Sequence, residues 1–225
     1  MTRRTNAKVA GVTYLLYIAL GISSLILGRA TTAEAIATRL TLIGQNVLLT
    51  RIELLLSVTV GFVAITLAVS LYGLTRDEDN ELAVFGLVCR AAEGLMGVLP
   101  IPTLGLLWLA TASQGADPSS TVATQALATF LVQISRWQVV IAATLFAVGS
   151  TSFCWLLLRG RMIPTALAWL GVFASVLLVI ALPIQLVGAL RGPVTQLMWL
   201  PMLAFEVPVA LWLIIKGATP SRHSE

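Results

Sequence analysis

Three ionisable side chains stand where a charge is costly. Arg90 and Glu93 fall inside an apolar run from Leu82 to Ala110, and Glu206 falls inside another from Gln196 to Ile215. The i,i+3 spacing puts Arg90 and Glu93 on one face of a helix. If both runs cross a bilayer, Arg90 lies about 12 Å in from one side, with Glu93 one turn deeper. Glu206, about ten residues in from the opposite side, reaches a similar depth. One guanidinium and two carboxylates, all ionised, leave a net negative charge in a low-dielectric place, and a proton, a cation or water must offset it. This is the chemistry of a site that binds or passes a proton or a small solute. It is equally the chemistry of a static network that fixes helix packing.

Four further polar residues, Arg51, Glu53, Arg136 and Gln138, stand at the outer ends of two more apolar runs. They are candidates for the mouth of a cavity, or for side chains that snorkel to the membrane interface. Other chemistry is poorly provided for. The single histidine, His223, is three residues from the end, and the apolar runs hold neither His nor Asp. A metal centre or a Ser-His-Asp triad is therefore not expected, and no phosphate loop, dinucleotide fingerprint or nucleophile elbow occurs. Cys89 and Cys154, both in apolar runs, read as small buried hydrophobes. No catalytic residue and no cofactor is assigned, and a membrane-embedded lipid enzyme is the least favoured class.

The elements that must position these groups follow from composition. Of 225 residues, 58% are hydrophobic and 11% charged, with a mean hydropathy of +0.94. A soluble domain carries about 25% charged residues. The net charge of +4 suits the basic loops of a membrane protein better than a nucleic-acid binder. Six segments approach the roughly 20 apolar residues needed to span a bilayer: 9–27, 52–74, 82–110, 137–158, 164–190 and 196–215. The expectation is one all-α, polytopic membrane domain over 1–225, with the first segment retained as an anchor. Pro100 and Pro102, Pro183, and Pro201 and Pro208 are expected to kink the third, fifth and sixth spans.

Six spans leave both termini on one side. With the termini inside, the inner segments hold Arg3, Arg4, Lys8, Arg76, Arg159, Arg161, Lys216 and Arg222, and the outer ones Arg29, Arg39, Arg51, Arg136 and Arg191. That bias places the termini in the cytoplasm. Two outer connections are long, about 28–50 and 111–136. In the first, Ala33, Ile36, Ala37, Leu40, Ile43 and Val47 recur at helical spacing. In the second, Asp117-Pro118-Ser119 supplies a cap, and Val122, Ala126, Phe130 and Gln133 follow one face. Both are expected to be amphipathic helices, on the membrane surface or packed on the bundle. A straight helix from Ser119 to Leu158 would be about 60 Å long, so this stretch must project or break, with the break expected near Arg136. Thr50-Arg51-Ile52-Glu53 and Ser135-Arg136-Trp137-Gln138 open the second and fourth spans alike. They suggest repeated hairpins, or merely the limited ways to cross a bilayer.

Most aromatics, among them Tyr14, Tyr17, Trp155, Trp169 and Trp199, fall near span ends and read as an interfacial belt. Ala91, Ala92, Gly94 and Gly97 give the third span a small-residue surface for close packing. Three stretches taken together resemble the bacterial multi-pass family known as domain of unknown function 4386: Ala10-Gly11-Val12-Thr13-Tyr14-Leu15-Leu16, Arg90-Ala91-Ala92-Glu93, and Glu206 followed by Ala210-Leu211-Trp212-Leu213-Ile214-Ile215-Lys216-Gly217. The likeness runs over roughly residues 5–218. It implies a six-helix protein of the bacterial inner membrane, marks Arg90, Glu93 and Glu206, and brings no known activity. Members often carry a His near the start of the fourth span, where this chain has Arg136-Trp137-Gln138, so no role resting on an imidazole carries over.

Overall fold

The computed structural model describes residues 3–112 and 118–218. His223 and Asp117 lie outside them. The described chain is all-α: α1 (Arg3–Gly28), a 3-10 turn (Arg29–Thr31), α2 (Ile36–Gln45), α3 (Val47–Thr75), α4 (Asn80–Val98), α5 (Ile101–Ala112), α6 (Pro118–Arg159), α7 (Thr165–Leu186), α8 (Val194–Leu197) and α9 (Leu200–Ile215). Six helical stretches are long and apolar enough to cross a membrane, and they match the six expected spans. Each carries side chains such as Leu25, Val69, Val88, Trp155, Phe173 and Leu211 that are exposed and apolar. These form the surface that meets the bilayer.

The spans form a closed ring in chain order. α1 packs on α3, α3 on α4, α4 on α6, α6 on α7 and α7 on α9, and α9 returns to α1. Helices in lipid associate through close backbone approach rather than through hydrophobic expulsion from water. The crossing of α3 and α4 shows how this chain achieves it. A Cβ on Gly61 would stand 2.5 Å from the Gly94 carbonyl, and one on Gly94 would stand 2.8 Å from the Gly61 carbonyl. Gly97 lies on the same seam. Leu67, Leu71, Phe153, Leu178, Phe205 and Val209 fill the main core.

The prolines act unequally. Pro100 ends α4, and the third span restarts as α5. Pro201 sits in the first turn of α9 and opens that helix instead of interrupting it, because its missing N–H is one of the donors a helix start leaves unused. α7 and α9 run through Pro183 and Pro208. The fifth span is shorter than expected: α7 stops at Leu186, and a turn with Gly188 at φ +79° follows.

A second layer lies at one end of the ring. α2, α5 and the first half of α6 pack together around Ile43, Leu106, Leu109, Ala110, Ala128 and Val132. The expected break near Arg136 does not occur. α6 continues unbroken over 42 residues, about 63 Å at the usual rise. Its outer half projects because α2 and α5 give it an apolar surface to lie on. The two proposed hairpins therefore differ in build: the first carries a separate helix, α2, and the second carries an extension of its own span.

Candidate functional site

The interior of the ring holds the groups the spans cannot expose to lipid. Arg90 on α4 is 1% exposed, and its Nη1 lies 3.2 Å from Glu93 Oε2 one turn on. The Tyr17 hydroxyl of α1 donates to Glu93 Oε1 at 2.9 Å. The Arg90 guanidinium also lies over the Phe146 ring of α6, 4.3 Å from its centre, and 5.5 Å from the centre of Tyr17. Glycine makes room for this side chain: a Cβ on Gly149 of α6 would stand 2.7 Å from Arg90 Cγ. An ion pair and two ring faces thus hold one desolvated guanidinium, whose Nε and Nη1 find no hydrogen-bond acceptor among the described residues, and the phenol holds its partner Glu93.

Glu206 on α9 is also buried, at 7% exposure. It is close enough to Arg90 and Glu93 for direct charge interaction. Among the described residues, however, no hydrogen bond or ion pair reaches its carboxylate. The third and sixth spans do not adjoin. α4 and α9 stand on opposite sides of the ring, with α1 and α3 between them on one side and α6 and α7 on the other. Arg90 and Glu93 meet as an ion pair, and Glu93 and Glu206 line one cavity in the lumen.

That cavity has two parts. A chamber of about 550 Å³ is lined by both Glu93 and Glu206, with Tyr17, Phe146 and Trp199. A narrower vestibule of about 260 Å³ shares Glu93, Val139 and Ala142 with it and is lined further out by Glu53, Ser57, Ser135 and Gln138. A third recess, about 540 Å³, joins at Ser24, Glu53, Ser57 and Gly97 and reaches Arg29 and Thr32 at the end of α1. Taken in order of their shared lining residues, the three recesses run from the C-terminal end of α1, past Glu53, to Glu93 and then Glu206.

The break in the third span lines these recesses, and side chains from other helices take up three of its carbonyls. The Met96 carbonyl would normally bond the amide four residues on, but that residue is Pro100 and has no N–H. Gln138 Nε2 donates to Met96 O at 2.8 Å and to Leu99 O at 3.1 Å. Ser57 Oγ donates to Gly97 O at 2.9 Å. Irregular backbone at membrane depth is tolerated where it is satisfied by protein or lines a cavity, and this break lines one.

Of the four residues expected at a cavity mouth, Glu53 and Gln138 line the vestibule. Arg51 and Arg136 are exposed and line neither chamber nor vestibule. Thr31 Oγ1 donates to Glu53 Oε2 at 3.4 Å. Arg39, on α2, interacts with Glu53 and with Arg136; burial pulls its guanidinium below the ordinary value, Glu53 opposes that, and Arg136 adds to it.

Tyr14, Tyr17 and Trp199 are not belt residues. Tyr14 is buried in the core, Tyr17 bonds Glu93, and Trp199 packs on Phe146 with ring centres 5.9 Å apart. Their partners were not readable from depth alone, but spacing offered a signal. Ala7, Ala10, Tyr14 and Tyr17 recur at three and four, and the first three are buried on the ring-facing side of α1. Both cysteines are free and buried. No group of His, Cys, Asp or Glu suited to a metal ion occurs among the described residues.

The fold and the site define an integral membrane protein of six apolar helices around a polar interior. The chain belongs to the family described as Domain of unknown function (DUF4386), which it matches over residues 9–217. No curated protein and no solved structure matches it.

Proposed function

We propose that this protein binds a small solute or proton at the Arg90, Glu93 and Glu206 centre and passes it across a bacterial inner membrane, with both termini in the cytoplasm. The observation that carries the reading is the unequal treatment of two buried carboxylates. Glu93 is held by Arg90 and Tyr17, whereas Glu206, in the same cavity, has neither an ion pair nor a hydrogen bond among the described residues. A buried carboxylate without a fixed partner costs several kcal/mol when charged, and within a membrane such a group is retained for function by default. Glu206 and Glu93 are the acceptors, Arg90 pairs with Glu93, and Glu53 stands at the outer approach. The basic residues favour the inner side and so support the orientation.

In proteoliposomes under a pH gradient, the wild-type chain is expected to carry a proton flux that both Glu93→Gln and Glu206→Gln abolish while leaving the fold intact. Flux retained in both variants, or absent from the wild type, rejects the reading. A second reading has its own observation: Arg90 and Glu93 form an ion pair that Tyr17 joins by a hydrogen bond. On that reading the protein is a packing, partner-stabilising or lipid-binding subunit, and the same variants alter stability alone.

A further inference from the structure

The chamber around Glu206 differs in character from the vestibule that leads to it. Hydroxyls, an amide and two carboxylates line the vestibule, but apart from Glu93, Glu206 and the Tyr17 hydroxyl the chamber is apolar. Its rim is formed by Leu25 of α1, Val139 of α6, and Leu200 and Leu203 of α9, all exposed apolar side chains. An apolar rim on a membrane protein opens toward acyl chains rather than toward water. At about 550 Å³ the chamber falls in the range of small organic ligand sites.

Inside runs a row of aromatic rings. Tyr17 stacks on Phe146 with centres 6.5 Å apart, and Phe146 meets Trp199 at 5.9 Å and 48°. Arg90 lies over Tyr17 and Phe146 but not over Trp199. A large indole, the best of the rings for holding a cation, therefore stands in the same chamber as a buried carboxylate without a partner. One added positive charge would bring Arg90, Glu93 and Glu206 to neutrality. A small inorganic cation needs a shell of oxygen ligands that these walls do not offer. An anion would face two carboxylates, with the one guanidinium already engaged.

We infer that the chamber is a binding site for a lipophilic organic cation, an ammonium group on an apolar body, with Glu206 as its counter-ion and Trp199 as its aromatic wall. The inference rests on the proposed role of Glu206 as an acceptor and names the class of solute it accepts. The solute reaches the chamber sideways from the bilayer, and the polar vestibule serves the proton.

Equilibrium dialysis of radiolabelled benzyltrimethylammonium against the full chain in lipid nanodiscs tests this. The probe carries a permanent charge, so its own protonation does not enter. Saturable binding is expected in the wild type and in Glu206→Asp. Glu206→Gln should weaken it by about ten-fold or more, and Trp199→Leu, at a half-buried position, by several-fold. Neopentylbenzene, similar in shape but uncharged, should not compete. Absence of saturable binding in the wild type, equal affinity in Glu206→Gln, or full competition by neopentylbenzene would overturn the site. Proton flux that is lost in the glutamine variants while the probe never binds would reject this inference and leave the transport reading standing. Binding without flux would do the reverse.

Discussion

Arg90 concentrates the energetics of the interior in one side chain. Its guanidinium is taken out of water, paired to Glu93 and laid over Phe146 and Tyr17. Removing it strands Glu93 as a buried charge that Tyr17 alone cannot compensate. Arg90→Leu is therefore expected to destabilise the chain by about 3–5 kcal/mol, read as a lower thermal midpoint in detergent. Arg90→Leu combined with Glu93→Leu should recover much of that loss, because no unpaired charge remains. A single substitution that leaves the midpoint unmoved would mean that the pair holds nothing together. Arg90, Glu93 and Glu206 were legible as residues, since an ionisable group in an apolar run stands out. Tyr17 was not, because an aromatic near a span end fits the interfacial belt equally well. Only the line of Ala7, Ala10 and Tyr14 on the same face indicates that it points into the ring. Arg39 was hidden for a related reason: in an amphipathic pattern it reads as a solvated residue, while on α2 it is partly buried and within charge range of Glu53.

At the scale of elements, the break between α4 and α5 shapes the path, and a side chain from another helix makes it tolerable. Gln138 serves two carbonyls there, but Leu99 O also accepts from the Ile101 amide at 2.8 Å, so Met96 O is the one that depends on Gln138. Gln138→Ala should cost about 1–3 kcal/mol, the penalty for an unsatisfied buried polar group. Pro100→Ala supplies the missing donor, so in that background the cost of Gln138→Ala should fall by more than half. Four unfolding midpoints complete this double-mutant cycle, and additive losses would contradict the assignment. The existence of the six spans followed directly from apolar length. Their internal breaks did not, because proline has different consequences at Pro100, Pro183 and Pro201 depending on its place in the helix and on which neighbours take up the freed carbonyl. The continuity of α6 past Arg136 escaped for another reason. Length argued for projection or a break, and the choice lay with a partner surface, α2 and α5, distant in the chain.

For the whole molecule, the ring order decides what can meet. The third and sixth spans face each other across the lumen, so the charged groups share a cavity and not a helix seam. Nothing in the periodicity of either span distinguishes those two arrangements. The orientation assigned from basic residues makes a separate prediction. In a Cys89→Ala, Cys154→Ala background, an impermeant maleimide should label Arg51→Cys in intact cells and Lys216→Cys only after lysis; the opposite pattern would invert the molecule. The central claim is that Glu206 lies at the end of a path reached from the outer side past Glu53 and Glu93. Its most direct test is the reaction of Glu206→Cys, in the same background, with a small impermeant cationic methanethiosulfonate applied to sealed vesicles of known orientation. Modification from the outer face is the expected result. A thiol that reacts from neither face, or from the cytoplasmic face alone, would contradict the account.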